Sequence, residues 1–125
     1  MASFLVVDDS PFLADKIKAH VEGCGHTVVG IARDGQIGVD MYKEFRPDIV
    51  TLDITMPNKD GHDCLMEILD FDADASAVII SAIEDKKMVV DCLNLGAKGF
   101  IAKPLKFKKT DFCAEFNATI NDALH

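Results

Sequence analysis

The chain has 125 residues, 49% of them hydrophobic, so it corresponds to one domain that can bury a single core without disulfides or a structural metal. Its formal net charge of −8 argues against a surface for DNA or for an anionic membrane, and neither partner is expected. The four cysteines are widely spaced, and no apolar run is long enough for a signal peptide or a membrane span, so we expect a cytoplasmic protein with reduced thiols.

Five short apolar runs have the length of buried strands. They predict strands at about residues 3–8, 27–31, 48–53, 77–81 and 99–102. Amphipathic stretches separate these runs, and strands that alternate with helices are typical of an α/β fold with a parallel sheet.

The stretches between the runs carry helix signals. Ser10 is placed to cap the first helix with Pro11 at its first position, and Asp34 precedes the second helix. A third helix follows the loop that ends at Gly61, and a fourth is predicted near residues 85–94. The last helix carries an apolar stripe at every fourth position, formed by Phe112, Phe116, Ile120 and Leu124.

Polar or charged side chains stand at the ends of four of the five predicted strands. These residues are Asp8 with Asp9, Asp53, Ser81 and Lys103. For each of these residues taken singly there is a structural alternative: helix amino ends favour acids such as the Asp8-Asp9 pair, and Lys103 could be a surface lysine before a turn. Their joint occurrence at the carboxyl edge of one parallel sheet instead favours a common site.

Three carboxylates at one edge require a counter-charge, because two like charges about 4 Å apart repel by roughly 4 kcal/mol at an effective dielectric constant near 20. The available ligands are all oxygens, which favours Mg²⁺, with Mn²⁺ as a substitute. Lys103 adds a positive charge suited to one phosphate oxygen, and the Ser81 hydroxyl can donate a hydrogen bond to another. The pattern predicts a phosphoryl-accepting pocket in which one carboxylate is the nucleophile.

Four motifs follow one another along the chain: VVDDS at 6–10, LDITMPNKDG at 52–61, SA at 81–82 and GAKGFIAKP at 96–104. Each motif is weak alone, but together, in this order and spacing, they are highly specific. By these motifs the chain resembles the receiver domain of two-component response regulators, and most closely the single-domain chemotaxis type, over nearly its whole length.

The resemblance implies a fold and a domain organisation. The fold is flavodoxin-like, a doubly wound (βα)5 arrangement with a five-stranded parallel sheet of order 2-1-3-4-5 in a three-layer α/β/α sandwich. Residues 1–125 would form one stand-alone receiver domain without an output domain, and a monomer is expected. In such sheets ligands bind outside the carboxyl ends of the strands, where the strand order switches.

The resemblance also assigns the acidic residues. Asp53 would be the phosphoacceptor, modified from a phosphohistidine of a sensor kinase to give an acyl phosphate. Asp9 and Asp53 would ligate Mg²⁺ directly, the main-chain carbonyl of Thr55 would be a third ligand, and Asp8 would act mainly through bound water.

The remaining site residues are assigned as a switch. Ser81 and Lys103 would contact the phosphoryl group, and the Lys103–Pro104 peptide bond would be cis. Phe100 is more often a core residue at such a position, but the resemblance implies an aromatic that turns inward on activation. Ile83 and Thr55 would flank the phosphoryl group and tune its lifetime.

The expected partners are a sensor histidine kinase and a downstream protein, such as a flagellar motor component. Binding would use the face formed by the fourth helix, fifth strand and last helix. Plausible contacts on that face are Lys86, Lys87, Val90, Asn94 and Lys98.

Three other functions remain open at this point. The chain could pass its phosphate to a histidine phosphotransfer protein as a phosphorelay intermediate. An aspartate-nucleophile phosphatase of the haloacid dehalogenase kind is disfavoured, since it needs a second Asp where Thr55 stands. A flavin binder is also disfavoured, because Asp8 and Asp9 replace a hydroxyl-rich phosphate loop. We therefore expect no enzyme activity beyond self-directed phosphotransfer and autodephosphorylation.

Overall fold

The computed structural model describes residues 1–56 and 58–125, so Pro57 of the predicted loop motif lies outside the described residues. Strands and α-helices alternate along the described chain. The strands are β1 (Ser3–Val7), β2 (Thr27–Ala32), β3 (Ile49–Asp53), β4 (Ala77–Ser81) and β5 (Gly99–Ala102). The helices are α1 (Pro11–Gly23), α2 (Gly35–Phe45), α3 (Gly61–Phe71), α4 (Lys86–Leu95) and α5 (Thr110–Leu124).

The five strands form one parallel sheet in the order β2-β1-β3-β4-β5. Val7 pairs with Leu52, and Asp53 pairs with Ile80, so β1, β3 and β4 end at nearly the same level. The chain runs outward from β1 to β2 on one side and from β3 to β5 on the other. A crevice therefore lies between the carboxyl ends of β1 and β3, and the predicted flavodoxin-like fold is confirmed.

Helices cover both faces of the sheet. On one face, α2, α3 and α4 pack over strand residues that include Leu5 and Leu52. On the other face, α1 and α5 pack over strand residues that include Phe4 and Ile80. Because side chains alternate between the two faces of a strand, burial on both faces explains why the strand sequences are continuous apolar runs. The predicted three-layer sandwich is confirmed.

Two predicted helix starts are confirmed by their caps. The Ser10 hydroxyl oxygen accepts a hydrogen bond from the backbone N–H of Leu13 at 3.3 Å, and Pro11 is the first residue of α1. Asp34 Oδ1 accepts from the backbone N–H of Ile37 at 2.8 Å. These side chains satisfy amide groups that have no partner inside the helix.

The start of α4 differs from the prediction. Residues 83–85 form a 3₁₀ turn, and α4 begins one residue later than expected, at Lys86. The predicted helix near 85–94 therefore merged the end of one element with most of another. The predicted stripe on α5 is confirmed, since Phe116 and Ile120 are buried and its two outer residues are partly buried against the same core.

None of the helices in residues 1–56 and 58–125 combines the length and apolar character needed to span a lipid bilayer.

Candidate functional site

The three aspartates predicted from the strand ends come together. Asp8 and Asp9 follow β1, and Asp53 ends the neighbouring strand β3. Carboxylate oxygens of the three residues lie within 4.8 Å of one another. Asp8 is 1% exposed and Asp53 is 5% exposed, whereas Asp9 is exposed to solvent. The site is therefore a partly buried acidic pocket that opens at Asp9.

The connection after Asp53 is held close to the strand by Gly61. The Gly61 N–H donates a hydrogen bond to the carbonyl of Ile54 at 2.8 Å. A Cβ atom at residue 61 would lie 2.4 Å from the carbonyl oxygen of Asp53, so a side chain there would displace the backbone. Glycine thus allows α3 to begin directly against the end of β3, which fixes the backbone of Asp53.

Burial and repulsion disfavour the charged forms of the pocket acids. Burial, followed by the negative charge of Asp8, raises the pKa of Asp53 from 3.8 to about 6. The Lys103 ammonium opposes this shift, and its Nζ lies 3.1 Å from Asp53 Oδ1. Burial also raises the pKa of Asp8 above its usual value. The single ammonium of Lys103 only partly offsets the effect of burial and of the neighbouring acids on Asp53.

One oxygen of Asp8 is unpaired. Asp8 Oδ1 accepts a hydrogen bond from the backbone N–H of Ser10 at 2.9 Å. Asp8 Oδ2 is buried and has no hydrogen-bond partner in the described part of the chain. Buried polar atoms are normally paired, and this one belongs to an all-oxygen acidic group, which is the donor set that Mg²⁺ prefers. The pocket residues therefore fit a hard divalent cation.

Ser81 has a partner that the sequence analysis did not anticipate. Ser81 is 2% exposed, and its Oγ donates a hydrogen bond to Asp85 Oδ2 at 3.0 Å. Its carbonyl accepts from the backbone N–H of Lys103 at 2.8 Å. The spacing of four residues between Ser81 and Asp85 was visible in the sequence, but it is a signal only if the intervening segment turns, as the 3₁₀ turn does.

Lys103 contacts a residue of the pocket, whereas Thr55 is exposed. Lys103 reaches Asp53 as expected, and the Lys103–Pro104 peptide bond is cis. Thr55 lies in the connection after β3 and is exposed, as is Ile83. The role of the Thr55 carbonyl as a metal ligand and the effect of both residues on phosphate lifetime stay predictions.

The face predicted to bind a downstream protein is the surface formed by α4, β5 and α5. Phe100 is partly buried and lines a cleft of about 330 Å³ between β5 and α5 together with Phe112 and Phe116. The predicted contacts are all exposed: Lys86, Lys87, Val90, Asn94 and Lys98. The Lys98 side chain is restrained by two hydrogen bonds, which its ammonium donates to Ser76 Oγ at 3.2 Å and to the carbonyl oxygen of Asp74 at 3.3 Å.

A second acidic group lies at the start of α3 and has a structural explanation. It contains Asp60, His62 and Asp63. Asp60 Oδ1 accepts from the backbone N–H of Asp63 at 2.9 Å, which is an ordinary helix cap. His62 Nδ1 lies 3.5 Å from Asp63 Oδ1. These contacts account for the cluster without a ligand.

Comparison with known proteins shows relatives over most of the chain. The family model of the response regulator receiver domain matches residues 4–112. The chain is 42% identical over 109 residues to the protein CcdB of Bacillus subtilis (strain 168), covering 87% of this chain and 91% of that protein. It is 48% identical over 107 residues to the chemotaxis protein CheY of Treponema pallidum (strain Nichols), covering 84% of this chain and 74% of that protein.

A solved structure shows the same fold. One chain in the crystal structure of the CheX–CheY–BeF3–Mg²⁺ complex from Borrelia burgdorferi superposes with a TM-score of 0.89 and is 38% identical to this chain. The match covers 98% of this chain and 89% of that chain. The similarity in sequence and in structure therefore spans the sheet, the helices and the segments that carry the acidic pocket.

Proposed function

The chain belongs to the family of response regulator receiver domains, and from that premise we propose that it is a phosphoacceptor switch in two-component signalling, modified on Asp53. In the proposed reaction a carboxylate oxygen of Asp53 bonds to the phosphorus of a phosphohistidine on a sensor kinase. The P–N bond breaks, the imidazole nitrogen keeps the electron pair, and an acyl phosphate forms. The protein acts as a switch, and its own chemistry is limited to accepting and losing this phosphate.

The geometry around Asp53 supports this role. Its raised pKa of about 6 leaves the carboxylate form dominant at neutral pH, which is the form that attacks phosphorus. Lys103, 3.1 Å from Asp53 Oδ1, is placed to pair with the negative charge of the transferred group. Phosphoryl transfer depends mainly on such positioning and charge stabilisation.

Asp8, Asp9 and Asp53 would hold Mg²⁺, and we propose the Thr55 carbonyl as a further ligand. Bound Mg²⁺ supplies the positive charge that lets an anionic phosphoryl group approach three carboxylates. The buried, unpaired Asp8 Oδ2 supports this assignment, because a bound cation or its water would give that atom a partner. The Mg²⁺ and BeF3 in the similar CheX–CheY structure agree with a magnesium-dependent phosphoryl site.

The observation that carries the proposal is the burial of Asp53 beside two further acids and one ammonium. A carboxylate with this exposure and a pKa near 6 destabilises the folded chain, so the arrangement is better explained by function than by packing. The carboxyl edge between β1 and β3 is also where ligands bind in sheets of this order.

The output is proposed to be protein binding through the face formed by α4, β5 and α5. Phe100 is a residue of β5, the strand that leads to Lys103, and it lines the cleft in this face. The complex of CheY with CheX in the similar structure, together with the CheY relatives, supports a downstream protein partner and a place in chemotaxis. A sensor histidine kinase would supply the phosphoryl group.

The test is labelling with a small phosphodonor. Incubation with acetyl phosphate and Mg²⁺ should add one phosphate, detected by intact mass, and chelation of Mg²⁺ should abolish the addition. Asp53→Asn should not be labelled. The matched control is Asp63→Asn, which removes an exposed acid outside the pocket and should be labelled like the unchanged chain. Labelling that survives Asp53→Asn would overturn the assignment.

A further inference from the structure

The Ser81 hydroxyl donates a hydrogen bond to Asp85, whereas the proposed function needs it to donate to a phosphoryl group on Asp53. A serine hydroxyl has one proton to donate. In this structure the Ser81 hydroxyl donates its hydrogen bond to Asp85 Oδ2 at an O–O distance of 3.0 Å, in a partly buried position. If the same hydroxyl is to donate to a phosphoryl group on Asp53, the bond to Asp85 must first break.

Asp85 lies at a second junction as well. It is the residue immediately before α4, where an Asp side chain ordinarily accepts a hydrogen bond from an amide of the first helical turn. Its side chain makes no such cap in this structure, and its backbone has φ −89° and ψ 29° instead of the extended conformation of a capping residue. The carboxylate is therefore engaged with Ser81 in place of the helix.

From these two observations we propose that Asp85 is a positioning residue that holds the Ser81 hydroxyl in the unphosphorylated chain and must release it when Asp53 is phosphorylated. The inference rests on the proposed function and adds a competitor for Ser81. Asp85 thereby biases the chain toward the inactive arrangement, since part of the interaction gained by the phosphoryl group is offset by the lost bond to Asp85.

Once released from Ser81, the Asp85 carboxylate has an alternative hydrogen-bond partner at the start of α4. If residue 85 becomes extended, its side chain can cap α4 by accepting from the backbone N–H of Lys87 or Met88. Meanwhile the hydrogen bond that the backbone N–H of Lys103 donates to the Ser81 carbonyl, at 2.8 Å, keeps the ends of β4 and β5 joined. The side chain of Ser81 can thus change partners without separating the strands, and the change is passed to the start of α4.

The effect of Asp85 is expected to act through the hydrogen bond more than through its charge. The charged groups that shift the pKa of Asp53 are those of Asp8, Lys103 and Asp9. Glu84 provides the matched control, because it is the adjacent acid in the same 3₁₀ turn and is exposed. Removing Glu84 changes the net charge as much as removing Asp85 does, but leaves Ser81 bonded.

The experiment measures the affinity of the protein for beryllofluoride, a phosphoryl mimic, in saturating Mg²⁺. Asp85→Ala should bind it about tenfold more tightly than the unchanged chain, since the competing bond is gone. Asp85→Asn keeps an acceptor oxygen and should show a smaller gain. Glu84→Ala should be close to the unchanged chain, and the affinity of Asp85→Ala for Mg²⁺ alone should be unaltered.

A double-substitution cycle separates the bond from other effects. In the Ser81→Ala background, Asp85→Ala should no longer change the beryllofluoride affinity. Equal gains for Glu84→Ala and Asp85→Ala, no gain for Asp85→Ala, or a gain that persists in Ser81→Ala would each overturn the inference. If Asp85→Ala does not fold, the same cycle is run with Asp85→Asn, whose gain must likewise vanish with Ser81.

Failure of the proposed function would give a different result. In that case the unchanged chain would not bind beryllofluoride with Mg²⁺, or would bind it equally well as Asp53→Asn. An unchanged chain that binds the mimic through Asp53, combined with Asp85 variants that bind it equally well, would remove only the role of Asp85.

Discussion

Asp53 has two properties that oppose one another. Asp53, the proposed nucleophile, is buried next to Lys103, but the same burial and the nearby Asp8 disfavour its charge. A carboxyl group whose pKa is raised in the folded chain destabilises that chain once it ionises. The ionised form of Asp53 that the proposed function needs is therefore also the form that lowers the stability of the folded chain.

The pH dependence of stability follows from this conflict. Between its ordinary pKa of 3.8 and the folded value of about 6, Asp53 is more protonated in the folded chain, so stability falls as pH rises through this window. Asp53→Asn escapes that loss. In the absence of Mg²⁺ it should be more stable near neutral pH, by at most about 3 kcal/mol, since one pKa unit corresponds to about 1.4 kcal/mol.

Chemical unfolding at a series of pH values measures this difference. The advantage of Asp53→Asn should shrink as pH falls toward 3.8 and vanish below that value, where Asp53 is protonated in both the folded and the unfolded chain. An advantage that is equal at acidic and neutral pH would show that the substitution acts through packing and not through the charge of Asp53.

Thr51 offers a test of stability away from the pocket chemistry. It is 1% exposed in the middle of β3, and its hydroxyl has no hydrogen-bond partner in the described residues. Thr51→Val replaces this hydroxyl by a methyl group of similar shape and should stabilise the fold by about 1 kcal/mol. Urea unfolding of Thr119→Val is the control, since that hydroxyl donates to the Glu115 carbonyl at 2.9 Å and its loss should not stabilise.

Single residues of the site were predictable to different degrees. Asp8, Asp9, Asp53 and Lys103 were predicted to share one edge because each lies at or just after the end of a strand, and the ends of parallel strands meet at one edge of the sheet. The partner of Ser81 was missed. Its bond to Asp85 depends on a turn type and a side-chain torsion, which the hydrophobic pattern does not report.

At the scale of elements, the junction between β3 and α3 depends on one glycine. Gly61→Ala would place Cβ 2.4 Å from the Asp53 carbonyl oxygen, so the backbone must shift. We expect a loss of about 1–3 kcal/mol in unfolding free energy, the usual range for overpacking, and weaker Mg²⁺ binding because Asp53 moves. Calorimetry and Mg²⁺ titration measure the two effects.

Gly23→Ala is the matched control for this substitution. Residue 23 ends α1, and a Cβ there would have no atom within 4 Å, so stability should be unchanged or slightly higher. If Gly61→Ala behaved like Gly23→Ala, the close approach of α3 to Asp53 would not be needed for the site.

Element boundaries were predictable where a local signal exists. Ser10 and Asp34 are capping residues in the sequence and caps in the structure, so α1 and α2 begin where expected. For α4 the sequence analysis identifies no cap, and in the structure Asp85 bonds to Ser81 and a 3₁₀ turn precedes the helix. The start of α4 therefore lies one residue later than expected, at Lys86.

At the scale of the whole molecule, the proposed metal pocket lies between β1 and β3 at the centre of the sheet. A cation that binds only the folded chain should therefore stabilise all of it. At a Mg²⁺ concentration ten times the dissociation constant, the gain should be about 1.4 kcal/mol. Thermal unfolding with and without Mg²⁺ measures it, with Asp9→Asn expected to lose the gain and Asp63→Asn to keep it. A gain retained in Asp9→Asn would place the metal elsewhere.

The overall fold was the most predictable level. Five apolar runs with strand length, separated by amphipathic stretches, leave few arrangements other than a parallel sheet covered on both faces. The strand order came from the family resemblance, since the hydrophobic pattern of each strand is compatible with several neighbours. How far the pocket is coupled to the α4–β5–α5 face depends on the relative free energies of two arrangements, which neither pattern nor order determines.

That coupling is the central claim, and one NMR titration tests it directly. Amide shifts of the chain are recorded with Mg²⁺ alone and then with Mg²⁺ and beryllofluoride, and Asp53→Asn serves as the control. We predict shifts at Asp53 and Ser81 and also across α4 and β5, including Phe100, with none in the control. Shifts confined to the Asp53 pocket, with α4, β5 and α5 unchanged, would contradict a switch that signals through this face.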